Sequence, residues 1–424
     1  MIKFIFKGVI RDKSRSLIPV IIVSAGVFLT VFLSSYFAGV FGDMIDLSAR
    51  FTTGHVKVVT KAYAENEDQM PLDLALLEVG SLKTQLNAAY PDMEWVERIH
   101  FGGLLDVPDE NGETRAQGPA IGTAIDLLSP GSTEIARMSI QESIAKGSIP
   151  SKPGEALISE GFAQKFAVSV GDEITIFGST MNGSMMFKTF IISGTLNFGN
   201  AFLDRGAVFI DLRDAQLALD MEDASSEILG YFTDGVYNDA KALQVMESFN
   251  SGHNVPEDEF SPQMMRLVDQ NELGQYLSLA EHMSSIFILV FVMAMSIVLW
   301  NTGLLGGLRR YSEYGIRLAL GEEKKHIFFT TLLEAAIIGI IGSVFGTLLG
   351  LAGAYYLQTY GLNLSGMMDN VGMMMPAILR SKITPELFYI GFFPGVIATE
   401  FGNALAGYAI YKRKTSRLFK ELEV

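Results

Sequence analysis

The sequence predicts an α-helical membrane protein with four transmembrane helices and a large α+β extracytoplasmic domain inserted between the first and second. Three observations lead there. Hydrophobic residues make up 49% of the 424, and they are bunched into long runs rather than spread. Charge is split along the chain: residues 43–282 carry 37 acidic against 15 basic side chains, while the rest is net basic. The basic clusters at the N-terminus, at 309–325 and at 412–420 fall on one side of a membrane if four spans are counted. That is what the positive-inside rule requires of a chain with both termini cytoplasmic and one large exported domain.

Residues 1–16 interleave Lys3, Lys7, Arg11, Lys13 and Arg15 with Phe4, Ile5, Phe6, Val9 and Ile10. This is an amphipathic start suited to the cytoplasmic membrane surface. Residues 17–41 are free of charge, and at ~1.5 Å rise per residue they can cross a ~30 Å hydrocarbon core. The run is long for the core of a signal peptide, and no A-x-A cleavage site closes it. Pro19 falls in its first turn, where a missing N–H costs little.

The acidic part, 42–283, reads as mixed short strands and helices. Strands are expected at 55–59, 95–107, 115–124, 156–159, 170–177, 186–195, 207–210 and 227–233. Helices are expected at 74–89, 161–166, 212–219 with Asp211 as N-cap, and 238–249. Such a mixture argues an α+β domain, with a β-rich insert near 151–210. A helix over 269–283 leads back to the membrane. Apolar spans then follow at 284–305, 327–357 and 387–410. A cytoplasmic segment (306–326), an outer loop (358–386) and a basic tail (411–424) join and close them.

Several chemistries find no support. The five His residues are scattered, with no H-E-x-x-H pair. No G-x-S-x-G elbow occurs. There is no cysteine to act as thiolate or metal ligand. No G-x-x-x-x-G-K-[ST] is present, so a cofactor is expected only in a partner. A domain this acidic would repel phosphates, so no nucleic-acid partner is expected.

Other features stand out within the spans. Gly339, Gly342, Gly346 and Gly350 line one face of the third, which permits close helix–helix approach in lipid. Packing within one subunit and sliding against a neighbour both fit that face. Glu334 and Glu400 are carboxylates inside apolar runs; a pairing of Glu334 with Lys324 is expected, and Glu400 can face a wet cavity. Five methionines between 367 and 375 crowd the outer loop, where packing against the membrane surface is expected.

The densest charge of the second half lies in 309–334, RRYSEYGIRLALGEEKKHIFFTTLLE. Glu313, Arg317 and Gly321 are four apart and would share one face of a short polar helix. Glu313-Tyr314-Gly315 and Ala319-Leu320-Gly321 resemble the signature of FtsX/MacB-type permeases of ABC transporters. In that family the segment is the coupling helix that docks onto an ATPase. Further on the same line, Gly54-His55-Val56, Pro153-Gly154-Glu155, Val170-Gly171-Asp172 and Ala215-Gln216 resemble stretches of the LolC/LolE-type lipoprotein-releasing permeases. The layout of one span, a large outer domain and three spans is also similar. MacB proper differs in carrying its ATPase in the same chain.

The resemblance implies a permease subunit rather than an enzyme. It would sit in a bacterial plasma (inner) membrane and work with a separate LolD-like ATPase that binds ATP and Mg. It would act as a homodimer or beside a sister permease. It also implies coupling through Glu313, Tyr314, Gly315, Arg317, Ala319 and Gly321. A lipid-facing cradle would form from the first two spans, where Phe28, Phe32, Phe287 and Phe291 lie, and the cargo would be lipoprotein drawn from membrane lipid. Regulation of a periplasmic enzyme by mechanical transmission, or efflux of peptides and amphiphiles, are the alternatives the family offers.

Overall fold

The computed structural model describes residues 13–109, 112–198, 207–253, 255, 257–270, 273–309, 316–363 and 378–411. Residues 1–12 of the basic start, the Met-rich part of the outer loop and the basic tail from 412 lie outside them. The chain divides into two compact units. One comprises 43–276; the other draws on 1–42, 277–363 and 378–424.

Four long helices build the second unit among the described residues: α1 (Lys13–Ser48), α2 (Leu273–Arg309), α3 (Lys324–Tyr360) and α4 (Phe392–Tyr411). Among the described residues, two stretches have the length and hydropathy of a span, Ser16–Thr53 and Lys324–Tyr360; Ser285–Asn301 is a shorter apolar stretch within α2. The helices overrun the expected bounds. α1 continues past residue 41 because Met44, Ile45 and Leu47 keep an apolar stripe going. The helix expected at 269–283 and the span after it form one element, α2. At the fourth span, a short helix Leu387–Ile390 precedes Gly391 and α4.

Packing in this unit follows from small residues. Val23, Val27 and Val31 form a fully buried ridge on α1. Each sits over a glycine of α3: a Cβ on Gly342, Gly346 or Gly350 would come within 2.7 Å of the facing valine Cβ. On the other flank Val27 meets Gly391 and Gly395, so it is enclosed by glycines of two stretches. The Ser24 hydroxyl donates to the Gly342 carbonyl (3.0 Å). Because the paired numbers rise together, α1 and α3 run parallel. Gly339 faces Thr399 while Ser343 faces Gly395, so α4 runs against α3. Phe37 stacks on Phe287 and Gly26 meets Met295, so α2 runs against α1.

Among the described residues, twelve strands belong to the 43–276 unit: β1 (Val56–Thr60), β2 (Leu76–Leu77), β3 (Met93–Pro108), β4 (Thr114–Ile125), β5 (Ile144–Gly147), β6 (Glu155–Ser159), β7 (Glu173–Ser179), β8 (Met185–Leu196), β9 (Ala207–Asp211), β10 (Ala224–Ser225), β11 (Glu227–Phe232) and β12 (Pro262–Arg266). Ten form one sheet, in the order β12-β1-β11-β3-β4-β9-β6-β8-β5, with β7 bridging β3 and β8. That bridge closes β3-β4-β9-β6-β8-β7 into a six-stranded barrel. Its interior is filled by Ile99, Phe101, Leu105, Ile158, Ile174, Ile176, Phe190, Ile192, Val208 and Ile210. The helix Glu160–Phe166, N-capped by the Ser159 side chain, adds Phe162 and Phe166.

Strand β3 serves two layers. Its first half, up to Arg98, pairs with β11 in the open part of the sheet; from Ile99 onward it pairs with β4 and β7 as barrel wall. The open part packs Val58, Trp95 and Ile228 against the helices Val79–Ala89 and Asp239–His253. The β-rich insert expected at 151–210 is therefore not a separate module, since β3 and β4 complete its barrel.

Two local expectations change for physical reasons. The strand expected from Val170 begins at Glu173, because Gly171 takes φ +98° in a turn held by Asp172 accepting from the Ser169 N–H. The helix expected from Leu74 begins only at Val79, after a 3-10 turn and β2. Strands β5 and β12 had no alternation to reveal them. Asp211 does N-cap its helix, accepting from the Arg213 N–H (3.0 Å).

Gly346→Leu should force α1 and α3 apart and destabilise the membrane unit by about 1–3 kcal/mol, the usual cost of overpacking. Phe345→Leu, on the exposed side of the same helix, should be close to neutral. Thermal unfolding of the detergent-solubilised chain compares the two.

Candidate functional site: the coupling segment, the glycine groove and the buried charges

Glu313, Tyr314 and Gly315 of the expected coupling helix lie outside the described residues. The remainder forms one helical turn, 316–319, followed by a tight turn at Leu320-Gly321 and then α3. Gly321 adopts φ +90°, a conformation that a side chain disfavours. That turn brings Glu322 back onto Arg317. The guanidinium grips the carboxylate with two bonds, Nε to Oε2 and Nη2 to Oε1, both 2.6 Å. This hydrogen-bonded partner holds the Glu322 carboxyl below its ordinary range. Ala319 is exposed, and beside it Ile316 and Leu320, one turn apart, are 62% and 82% exposed. The segment is thus a braced charged turn presenting an apolar pair. Equal spacing of Glu313, Arg317 and Gly321 pointed to a polar face. The Arg317–Glu322 fork was not readable from it, because the fork depends on the positive φ between them.

Gly339, Gly342, Gly346 and Gly350 are all buried. Their face is filled from within the chain, by α1 for the last three and by Thr399 and Val396 of α4 for Gly339. Ser343 and Thr347 lie on the same buried stripe. Of the four cradle residues, Phe28 and Phe32 stack on each other at 5.7 Å. They lie beside Gly353. Phe287 stacks on Phe37 at 5.6 Å, and Phe291 is half-buried. Glu334 and Glu400 are both half-buried.

Sequence reasoning missed two buried ionic networks in the 43–276 unit. In the first, Lys57 is fully buried between Glu67 (2.5 Å) and Glu227 (2.9 Å). His100 Nε2 also lies 2.9 Å from Glu227. Burial pushes the Glu227 carboxyl up, but the Lys57 ammonium and His100 outweigh it and hold it at about 2. In the second, Arg98 is fully buried against Glu134 (2.7 Å), and Arg137 joins Glu134 to Glu94. A lone charge in a strand pattern gives no hint of its partners, which lie 36 and 170 positions away for these pairs.

His55, which the resemblance singled out, is a core residue. Its Nδ1 accepts from the Phe232 N–H (3.0 Å), and its ring packs among Tyr231, Phe232 and Tyr237. Burial pulls its pKa down to about 4, against smaller opposing pulls from Asp234 and Asp46. Among the described residues, no group of His, Asp and Glu is arranged to hold a metal ion.

Comparison with known proteins gives two family matches. The MacB-like periplasmic core domain matches residues 16–246, and the FtsX-like permease C-terminal region matches 285–415. Among solved structures, the periplasmic region of MacB from Actinobacillus actinomycetemcomitans is similar at 10% identity and a TM-score of 0.36, covering 54% of this chain and 95% of that one. No curated protein matches the sequence.

His55 and Glu227, both held down in the buried core, shape the acid limb of stability. His55 binds its proton only when the domain unfolds, so stability is full above pH 6.5 and falls as pH drops toward 4. Its slope is at most about 1.4 kcal/mol per pH unit. Glu227 adds a second loss between pH 4.5 and about 2. His55→Asn, whose amide oxygen can still accept from Phe232, should flatten the upper limb only. Buried Trp95 reports the unfolding by fluorescence once Trp300→Phe removes the other tryptophan.

Proposed function

The chain belongs to the FtsX/MacB superfamily of permeases of ABC-type systems, and from that premise we propose that it is the permease subunit of a lipoprotein-releasing complex driven by a separate LolD-like ATPase. All four helices would cross the inner membrane, with both termini cytoplasmic and the 43–276 unit periplasmic. The alternating directions of α1 to α4 support that arrangement, as do the basic cytoplasmic segments and the acidic outer domain.

One observation carries the coupling role. Ile316 and Leu320 stand exposed on a turn braced by Arg317 and Glu322, between the second and third helices. An apolar pair on a charged, rigid turn suits insertion into a groove on a soluble partner, with the charges forming the polar rim. ATP closure of two such partners would push on the turns of a permease pair, and α3 would carry the push outward. Cargo release is supported by the layout. Phe28 and Phe32 lie half-buried on α1, where a lipid-anchored chain leaving the outer leaflet would be handled.

Glu313→Ala combined with Gly315→Trp should abolish ATPase co-purification while leaving the chain in the membrane, and Leu320→Asp should do the same. Retained ATPase in both would place the interface elsewhere. Phe28→Asp should impair lipoprotein release with ATPase assembly intact. Mass spectrometry of what co-purifies from native membranes reads cargo directly: acylated lipoproteins support release, and a cell-wall hydrolase in their place overturns it.

A further inference from the structure

The carbonyls of the turn that follows α1 are capped by side chains of the same 43–276 unit. α1 passes at Ser48 into a π-helical turn, Ala49–Thr53. Carbonyls at a helix end lack intrahelical donors; here Ala49 O keeps the Gly54 N–H (3.0 Å), and side chains supply donors to it and to the later carbonyls. The Tyr231 hydroxyl donates to Ala49 O (2.9 Å), Arg98 Nη2 to Arg50 O (2.8 Å), Arg98 Nη1 to Phe51 O (3.1 Å) and Gln270 Nε2 to Thr53 O (3.3 Å). The guanidinium is fixed from behind. Its Nε donates to Glu134 Oε2 (2.7 Å), and Nη2 also reaches the Tyr231 hydroxyl (3.2 Å). Arg137 lies 3.8 Å over the Tyr231 ring and bonds to Glu134.

A glycine in the left-handed conformation ends many helices with no buried charge. A guanidinium with no exposed surface costs much more in desolvation. What it adds is direction. Its planar fork offers donors at fixed angles, so a helix end held by two of them resists both tilt and rotation. Arg98 also stands where β3 passes from the open sheet into the barrel wall.

We propose that Arg98 is a positioning residue that carries displacement of α1 into β3, and through β3 into the barrel. Anchored to Glu134, it makes the 49–53 turn and the strand a single rigid joint. Gln270 and Tyr231 share the load. The inference rests on the ABC-type permease reading, since ATP-driven motion of the membrane helices is its input. Arg98→Lys keeps the charge opposite Glu134 but loses the fork, which separates coupling from simple ion-pair stability.

The test uses the full chain with its co-purified ATPase in nanodiscs. The chain has no native cysteine, so Ala25→Cys and Asn182→Cys, both at exposed positions, can carry spin labels without further change. The distance distribution is measured with and without ATP-vanadate trapping. The parent chain should show an ATP-dependent shift. Arg98→Lys should keep ATPase assembly and hydrolysis yet lose most of that shift. A full shift in Arg98→Lys would overturn the inference alone. No shift in the parent chain, or no ATPase in the preparation, would overturn the permease reading and the inference with it. Should Arg98→Lys fail to fold, Tyr231→Phe and Gln270→Ala each remove one cap, and an undiminished shift in both would overturn the proposal.

Discussion

The closeness of α1 to α3 is the constraint on which the membrane unit depends. In lipid there is no hydrophobic gain from bringing helices together, so van der Waals fit must supply the attraction. Val23, Val27 and Val31 provide knobs four residues apart, and Gly342, Gly346 and Gly350 provide matching absences of side chain. Gly391 and Gly395 shut the same ridge in from the other flank, so α1 is seated between two helical stretches. The Ser24 bond to the Gly342 carbonyl then fixes which valine meets which glycine. A groove filled from inside the chain leaves the outer faces of these helices, rich in Phe345, Leu348 and Leu349, for lipid or for another subunit.

The outer unit solves a different problem by different means. It buries two networks of charge, and burial of charge is tolerated only with complete partnering. The Lys57 network lies among the strands of the open sheet. The Arg98 network stands at the root of the helix. Both draw on β3 and β11, so the strands that carry the core also carry the ionic ties.

How much was readable in advance differs by element. The long apolar helices α1 and α3 were plain because hydropathy is a property of composition and needs no partner. Strands such as β1, β6 and β9 were plain because each is a short apolar run bounded by turn residues. The barrel was not, because closure is a matter of which strand meets which. The bridge between β3 and β8 is made by β7, and nothing local in Glu173–Ser179 announces two neighbours. The glycine stripe of α3 was visible as a stripe, whereas its occupant was not, since valines at 23, 27 and 31 look like any lipid-facing run. Of the coupling segment, the family signature was legible. The apolar pair Ile316 and Leu320 was hidden because their exposure is set by a turn three-dimensional in origin.

The closed barrel has a consequence for how the chain is made. Strands β3 and β4 are made early, yet their partners β7 and β9 follow only after further stretches of chain. Until Ser179 has emerged the hairpin of β3 and β4 presents two unpaired edges, and until Asp211 has emerged the β4 edge stays open, a geometry prone to wrong pairing. The yield of the domain then depends on whatever shields those edges during synthesis.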